Sequence, residues 1–72
     1  MYNYLIVIEK AEHNYSAYSP DLPGCIATGK TPDEVRRNMQ VAIDMHLKGM
    51  REDGLSIPEP QCEAGYVAVE ME

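Results

Sequence analysis

The stretch from Thr31 to Leu55, TPDEVRRNMQVAIDMHLKGMREDGL, sets the outer limits on this fold. It is punctuated as a helix at both ends. Thr31 suits an N-cap, Pro32 fits the first helical position, and Glu34 stands three residues after Thr31. That is a capping box, with acidic side chains at the positive end of the helix dipole. Gly54 can take the left-handed conformation that ends a helix, and Leu55 can fold back on Met50. The spacing predicts one helix from Pro32 to Asp53, a rod about 33 Å long. Val35, Met39, Ala42, Ile43, His46 and Met50 share one side of it, and Arg37, Gln40, Asp44, Lys48 and Arg51 lie opposite. Such a rod lays a single apolar stripe on a core. Val41 and Met45 flank that stripe, where they extend either the core or a partner surface.

The rest of the chain reads as strand. Tyr2 to Glu9, YNYLIVIE, is β-branched and aromatic and too short for a good helix. Leu5, Ile6, Val7 and Ile8 are apolar in succession, which predicts burial on both faces and a central place in a sheet. Lys10 to Asn14 is a polar hairpin loop. Tyr15 to Ser19 is a second strand and Cys25 to Thr28 a third. Between them, Pro23-Gly24 supplies the fixed φ and then the positive φ of a type II turn. Pro58 and Pro60 exclude helix or central strand from Ser56 to Ala64. Gly65 to Met71, GYVAVEM, reads as a fourth strand. No internal repeat or low-complexity segment is present.

The expected class is therefore α+β in the order β-β-β-α-β, with one helix on a four-stranded sheet. The 72 residues are expected to form a single domain, 1–72. A chain of this length buries only about 60% of the surface its unfolded form exposes. One helix covers one face of the sheet. The other face has too few polar residues to meet water: the first strand is apolar on both sides, and Tyr2, Tyr4, Tyr15, Tyr18 and Tyr66 are spread over three strands. An apolar, tyrosine-rich face of this kind marks a protein interface.

Charge narrows the partners. Twelve carboxylates against six Lys and Arg give a net charge of −6, which repels phosphate and argues against direct nucleic-acid binding. The same field attracts a basic protein. No stretch reaches the roughly 18 apolar residues of a membrane span, and no signal peptide is visible. Two distant cysteines, Cys25 and Cys62, fit a reducing cytoplasm better than a disulfide scaffold.

Each candidate for chemistry has a plainer explanation beside it. Asp21, Asp33 and Glu34 together would suit a divalent-metal nuclease, which needs convergent carboxylates. Asp21 equally orders a turn, and Asp33 and Glu34 equally cap a helix. His46 and His13 with Cys25 or Cys62 have no zinc-site spacing. Cys25 opens a strand, where a small buried apolar plug is the usual role. Gly24 to Thr31 matches the bare G-x-x-x-x-G-K-[ST] phosphate-loop pattern, but CIAT reads as strand where a flexible loop is required. No cofactor or metal is expected.

YSPDLPGC (Tyr18 to Cys25), followed by the capped helix and then HLKGMREDGLSIPEP, resembles the HicB family of antitoxins over about Tyr4 to Glu70. The resemblance implies a partial RNase H-like fold with sheet order 3-2-1-4 and the first strand central. It also implies a partner, a small basic HicA-like ribonuclease toxin that the antitoxin neutralises. RNase H enzymes carry a catalytic Asp in their first strand. Tyr4 to Ile8 hold no carboxylate, so the resemblance implies a scaffold without that chemistry. Relatives often add a C-terminal operator-binding domain. The sequence here runs to Glu72, so operator binding through such a domain is not expected.

The expectation is thus a non-enzymatic, cytoplasmic antitoxin that binds a HicA-like toxin and self-associates as a homodimer or larger homo-oligomer. Tyr18, Pro20, Asp21, Leu22 and Pro23 are its candidate partner-binding residues, with Leu22 at an exposed tip. The alternatives are the divalent-metal nuclease and an orphan homo-oligomeric adaptor.

Overall fold

A computed structural model describes all 72 residues, Met1–Glu72. The chain runs β1 (Val7–Lys10), β2 (Tyr15–Tyr18), β3 (Ile26–Gly29) and α1 (Pro32–Glu52). The three strands form one antiparallel sheet in the order β1-β2-β3. Ala11 N–H donates to Asn14 O at 2.8 Å and closes the first hairpin.

β1 begins later than its composition suggests, and the register explains why. Val7 pairs with Tyr18, the last residue of β2. Beyond Tyr18 the chain turns at Ser19 and Pro20, so earlier residues have no strand opposite them. The Ser19 hydroxyl donates to Leu5 O at 2.9 Å and extends the pairing by one contact.

The helix ends as its capping residues dictate. Thr31 Oγ1 accepts the Glu34 N–H at 3.0 Å, and Glu34 Oε1 accepts the Lys30 N–H at 3.2 Å. This is a capping box displaced by one residue, because the carboxylate reaches Lys30 rather than Thr31. Asp53 is the C-cap and Gly54 follows at φ +73°. Gly54 N–H donates to Arg51 O and Leu55 N–H to Met50 O, the paired bonds of a Schellman end.

Helix and sheet pack through a small core of Ala17, Leu22, Cys25, Val35 and Met39. Tyr4, Ile6, Ile8, Tyr15, Ala27, Ala42, Ile43 and Leu47 extend it. His46 and Met50 are half-buried, and Val41 and Met45 are exposed. The closest approach is at Gly29, where a Cβ would lie 2.6 Å from Val35 N and 2.9 Å from Val35 Cα. Only glycine lets β3 come this near the first turn of the helix.

Two expectations change. Gly65 to Met71 forms no strand, and the order 3-2-1-4 is not seen; β1 is an edge strand rather than a central one. A strand draws its hydrogen bonds from a neighbour, and the final segment makes no ladder with β1. Glu63 to Tyr66 lie beside Leu5 to Ile8 without pairing to them, and the residues from Val67 on are exposed; the molecule measures 52 × 27 × 19 Å with a radius of gyration of 14.3 Å, against about 11 Å for a compact domain of this length. The second change is Leu22, which is fully buried (0% exposed) rather than an exposed tip.

Candidate partner-binding surface

Strand alternation sorts the sheet residues into two faces. The rows Ile8–Ala17–Ala27 and Lys10–Tyr15–Gly29 share a face with the core residues under the helix. The opposite face has no helix over it. It carries one apolar row, Val7–Tyr18–Ile26, and one polar row, Glu9–Ser16–Thr28. Tyr18 is 41% exposed and Ile26 68%. With the half-buried Val7 beside them, these side chains form an apolar strip across three strands, exposed at Tyr18 and Ile26. Of the five tyrosines, Tyr18 sits in this strip, whereas Tyr4 and Tyr15 pack against the core.

The Tyr18–Cys25 loop borders the strip and is built from two successive turns. Leu22 N–H donates to Ser19 O (3.1 Å), and Cys25 N–H donates to Leu22 O (3.1 Å). Pro20 and Pro23 each occupy the second position of a turn, where their fixed φ belongs. Gly24, at φ +84°, supplies the type II geometry. Between the turns Leu22 drives into the core beside Cys25. Pro20 and Pro23 are left exposed on the outside. Leu22 therefore anchors the loop, and Tyr18, Pro20 and Pro23 are the candidates that reach solvent.

Asp21 has a role that the residue pattern alone did not reveal. Its Oδ2 accepts the backbone N–H groups of Gln61 (3.2 Å) and Cys62 (3.3 Å), which ties the C-terminal segment to the loop. The Tyr4 hydroxyl donates to Pro58 O and makes a second tie. An aspartate clamp across forty residues has no local sequence signal, because any turn aspartate looks the same. Ile26 and Val7 were also missed as a surface pair; the hairpin registers place them on one row with Tyr18.

The groups considered for chemistry are dispersed. Asp33 pairs with Arg36 at 3.4 Å, Glu34 with the Lys30 N–H, and Asp21 with the C-terminal segment. No three His, Cys, Asp or Glu side chains converge. Burial pushes the Cys25 thiol up, the direction opposite to nucleophile activation. A hydrogen bond to Asp21, with smaller contributions from desolvation and the Asp21 charge, pushes the exposed Cys62 thiol up as well. Gly24 to Thr31 is a turn, the strand β3 and a helix cap, not a phosphate cradle. No helix is long and apolar enough to cross a membrane.

Comparison with known proteins places this architecture. The family profile of the HicB_like antitoxin of bacterial toxin-antitoxin systems matches residues 4–70. An uncharacterised 14.9 kDa protein of Haemophilus phage HP1 is 41% identical over 64 residues, which is 89% of this chain and 48% of the phage protein. The chain thus spans about half the length of that relative. A UPF0150 protein of Helicobacter pylori is 42% identical over 50 residues, 69% of each chain. A UPF0150 protein of Thermoplasma acidophilum is 33% identical over 61 residues, 83% of this chain and 88% of its own. No solved structure gives a significant match. With a profile match that runs through all three strands, the helix and the clamped C-terminal segment, the chain belongs to the HicB-like antitoxin family.

Proposed function

We propose that this protein is the antitoxin of a toxin-antitoxin pair and neutralises a small, basic, HicA-like ribonuclease by binding it. The family match over residues 4–70 carries this reading. Two physical features support it. The net charge of −6 favours a basic partner and speeds its encounter at low salt. The Val7–Tyr18–Ile26 strip offers an apolar contact that the chain itself leaves uncovered. Tyr18, Pro20 and Pro23 border or belong to that surface, and Asp21 holds the loop against the C-terminal segment. Leu22 acts from beneath as the loop's anchor.

In this reading the protein acts in the cytoplasm by occlusion, without catalysis of its own, and makes no direct contact with nucleic acid. Self-association accompanies the function, since an uncovered apolar surface on so small a core gains from a second copy.

The direct experiment is a pull-down of the full chain against the product of the neighbouring gene, paired with a growth assay in which that product is induced alone or with this chain. A complex and restored growth are expected. If the neighbour is not a small basic protein, or the two do not associate, the toxin reading is lost and the fold description stands.

A further inference from the structure

The outer edge of β3 is open, and the chain has no segment of its own beside it. Ser19 N–H donates to Cys25 O, and the pairing with β2 continues through Ala17–Ala27 and Tyr15–Gly29. By the alternation of an antiparallel ladder, Ile26 and Thr28 therefore point their backbone groups away from β2. Thr28 O accepts from Asn38 Nδ2 at 2.7 Å. Ile26 N–H and C=O have no partner. The segments outside the sheet lie elsewhere: Met1 to Tyr4 and Ile57 line the opposite flank of the helix, and Glu63 to Tyr66 lie beside β1. Helix α1 packs mainly over β3. Its flank on that side presents Val41, 58% exposed, and Met45, 69% exposed, an apolar pair one turn apart that the core leaves out.

We propose that the occupant of this edge and flank is a second copy of the chain, β3 against β3 and α1 against α1, about a two-fold axis at Ile26. The proposal deepens the self-association in the reading above by naming its surface. At the axis the two Ile26 residues exchange N–H···O=C bonds, which uses the free groups and leaves the Asn38–Thr28 bond intact. The helices meet at the same level. Gly29 lies against Val35, and three residues back along the strand is about 10 Å, the rise of roughly six or seven helical residues. Ile26 thus stands level with Val41, and Val41 faces its own counterpart. Antiparallel helices centred there bring Glu34, as far before Val41 as Lys48 is after it, to Lys48 of the second copy, and the axis makes that pair twice. Charge selects this flank. Two copies that each carry −6 repel, and least where their charges balance. Here Arg37 and Lys48 stand with Glu34 and Glu52. The same balance gives a basic toxin no acidic field to follow. On the other face of the sheet, the two Val7–Tyr18–Ile26 rows join into one.

The test combines sedimentation with site-resolved amide exchange on the full chain and on a Val41→Glu/Met45→Glu double variant. Both positions are exposed, outside the core and away from the Tyr18–Ile26 surface, and far-UV circular dichroism checks that the helix persists. The wild type is expected to be a dimer at high micromolar concentration, with the Ile26 amide slowed about tenfold or more and that protection fading on dilution. The variant is expected to be a monomer with a fast Ile26 amide that captures the neighbouring gene's product as the wild type does. A wild-type monomer, a dimer that survives the two glutamates, or a dimer with a fast Ile26 amide overturns the proposal. Loss of capture by the folded variant alone also overturns it and assigns the flank to the toxin. Where neither protein captures that product, the toxin reading fails, and sedimentation and exchange still decide the dimer.

Discussion

Leu22 shows how a single residue reassigns a loop. In YSPDLPGC it is the one large apolar side chain among turn residues, and turn residues are usually exposed. Pro20 and Pro23 bend the chain twice around it, and the only direction left for Leu22 is inward. Leu22→Ala is expected to cost about 2–5 kcal/mol, as for other fully buried leucines. In a chain of this size that lowers Tm by at least about 8 °C, which a thermal melt measures. A change below 2 °C would contradict the anchoring role. Two further residues contribute to an alkaline limit. Burial raises the Cys25 thiol from its ordinary value of 9.0. Burial first, then the Tyr2 and Asp21 charges, raises the Tyr4 hydroxyl from 10.0, with Arg51 opposing. In both cases the folded state holds the proton more tightly than the unfolded chain. Their contribution is complete below the unfolded values and is lost as pH rises through the folded ones. Urea midpoints are therefore expected to hold steady to about pH 8 and fall at higher pH, and Cys25→Ala should flatten part of that fall.

The elements differ in how they are held. Helix α1 was legible from its ends inward, because its caps are local: Thr31, Glu34 and Gly54 act within a few residues of themselves. The hairpins were legible to within a residue or two, since turn chemistry and alternation are local as well. Where β1 starts was not legible, because that depends on where β2 stops. The contact of β3 with α1 depends on Gly29, whose missing side chain admits the Val35 backbone. Gly29→Ala is expected to destabilise by about 1–3 kcal/mol through forced separation of strand and helix. Gly49→Ala, at a helical glycine with open space around it, is expected to be neutral or slightly stabilising. Chemical denaturation of the pair checks the contrast, and equal effects would remove the close approach as its cause.

At the scale of the whole molecule, charge and surface govern the partner. The net charge of −6 predicts that association with a basic toxin slows as salt rises, at least tenfold in on-rate between about 20 mM and 500 mM. In the proposed reading the off-rate depends on the apolar strip and should change far less. Stopped-flow or surface-bound kinetics separates the two, and a salt-independent on-rate would count against electrostatic steering. The sequence by itself determined the capped helix, the presence and order of the first three strands, the turn in the Tyr18–Cys25 loop, the net acidic charge and the family, because each is written in local spacing or in a specific run of residues. Only the tertiary structure decided that Leu22 is core, that Asp21 clamps the backbone of Gln61 and Cys62, that β1 lies at an edge, and that Gly65 to Met71 joins no strand ladder. The physical reason is common to all four. Burial, clamping and strand pairing are relations between segments far apart in the chain, and neither composition nor period states which distant segment will meet which.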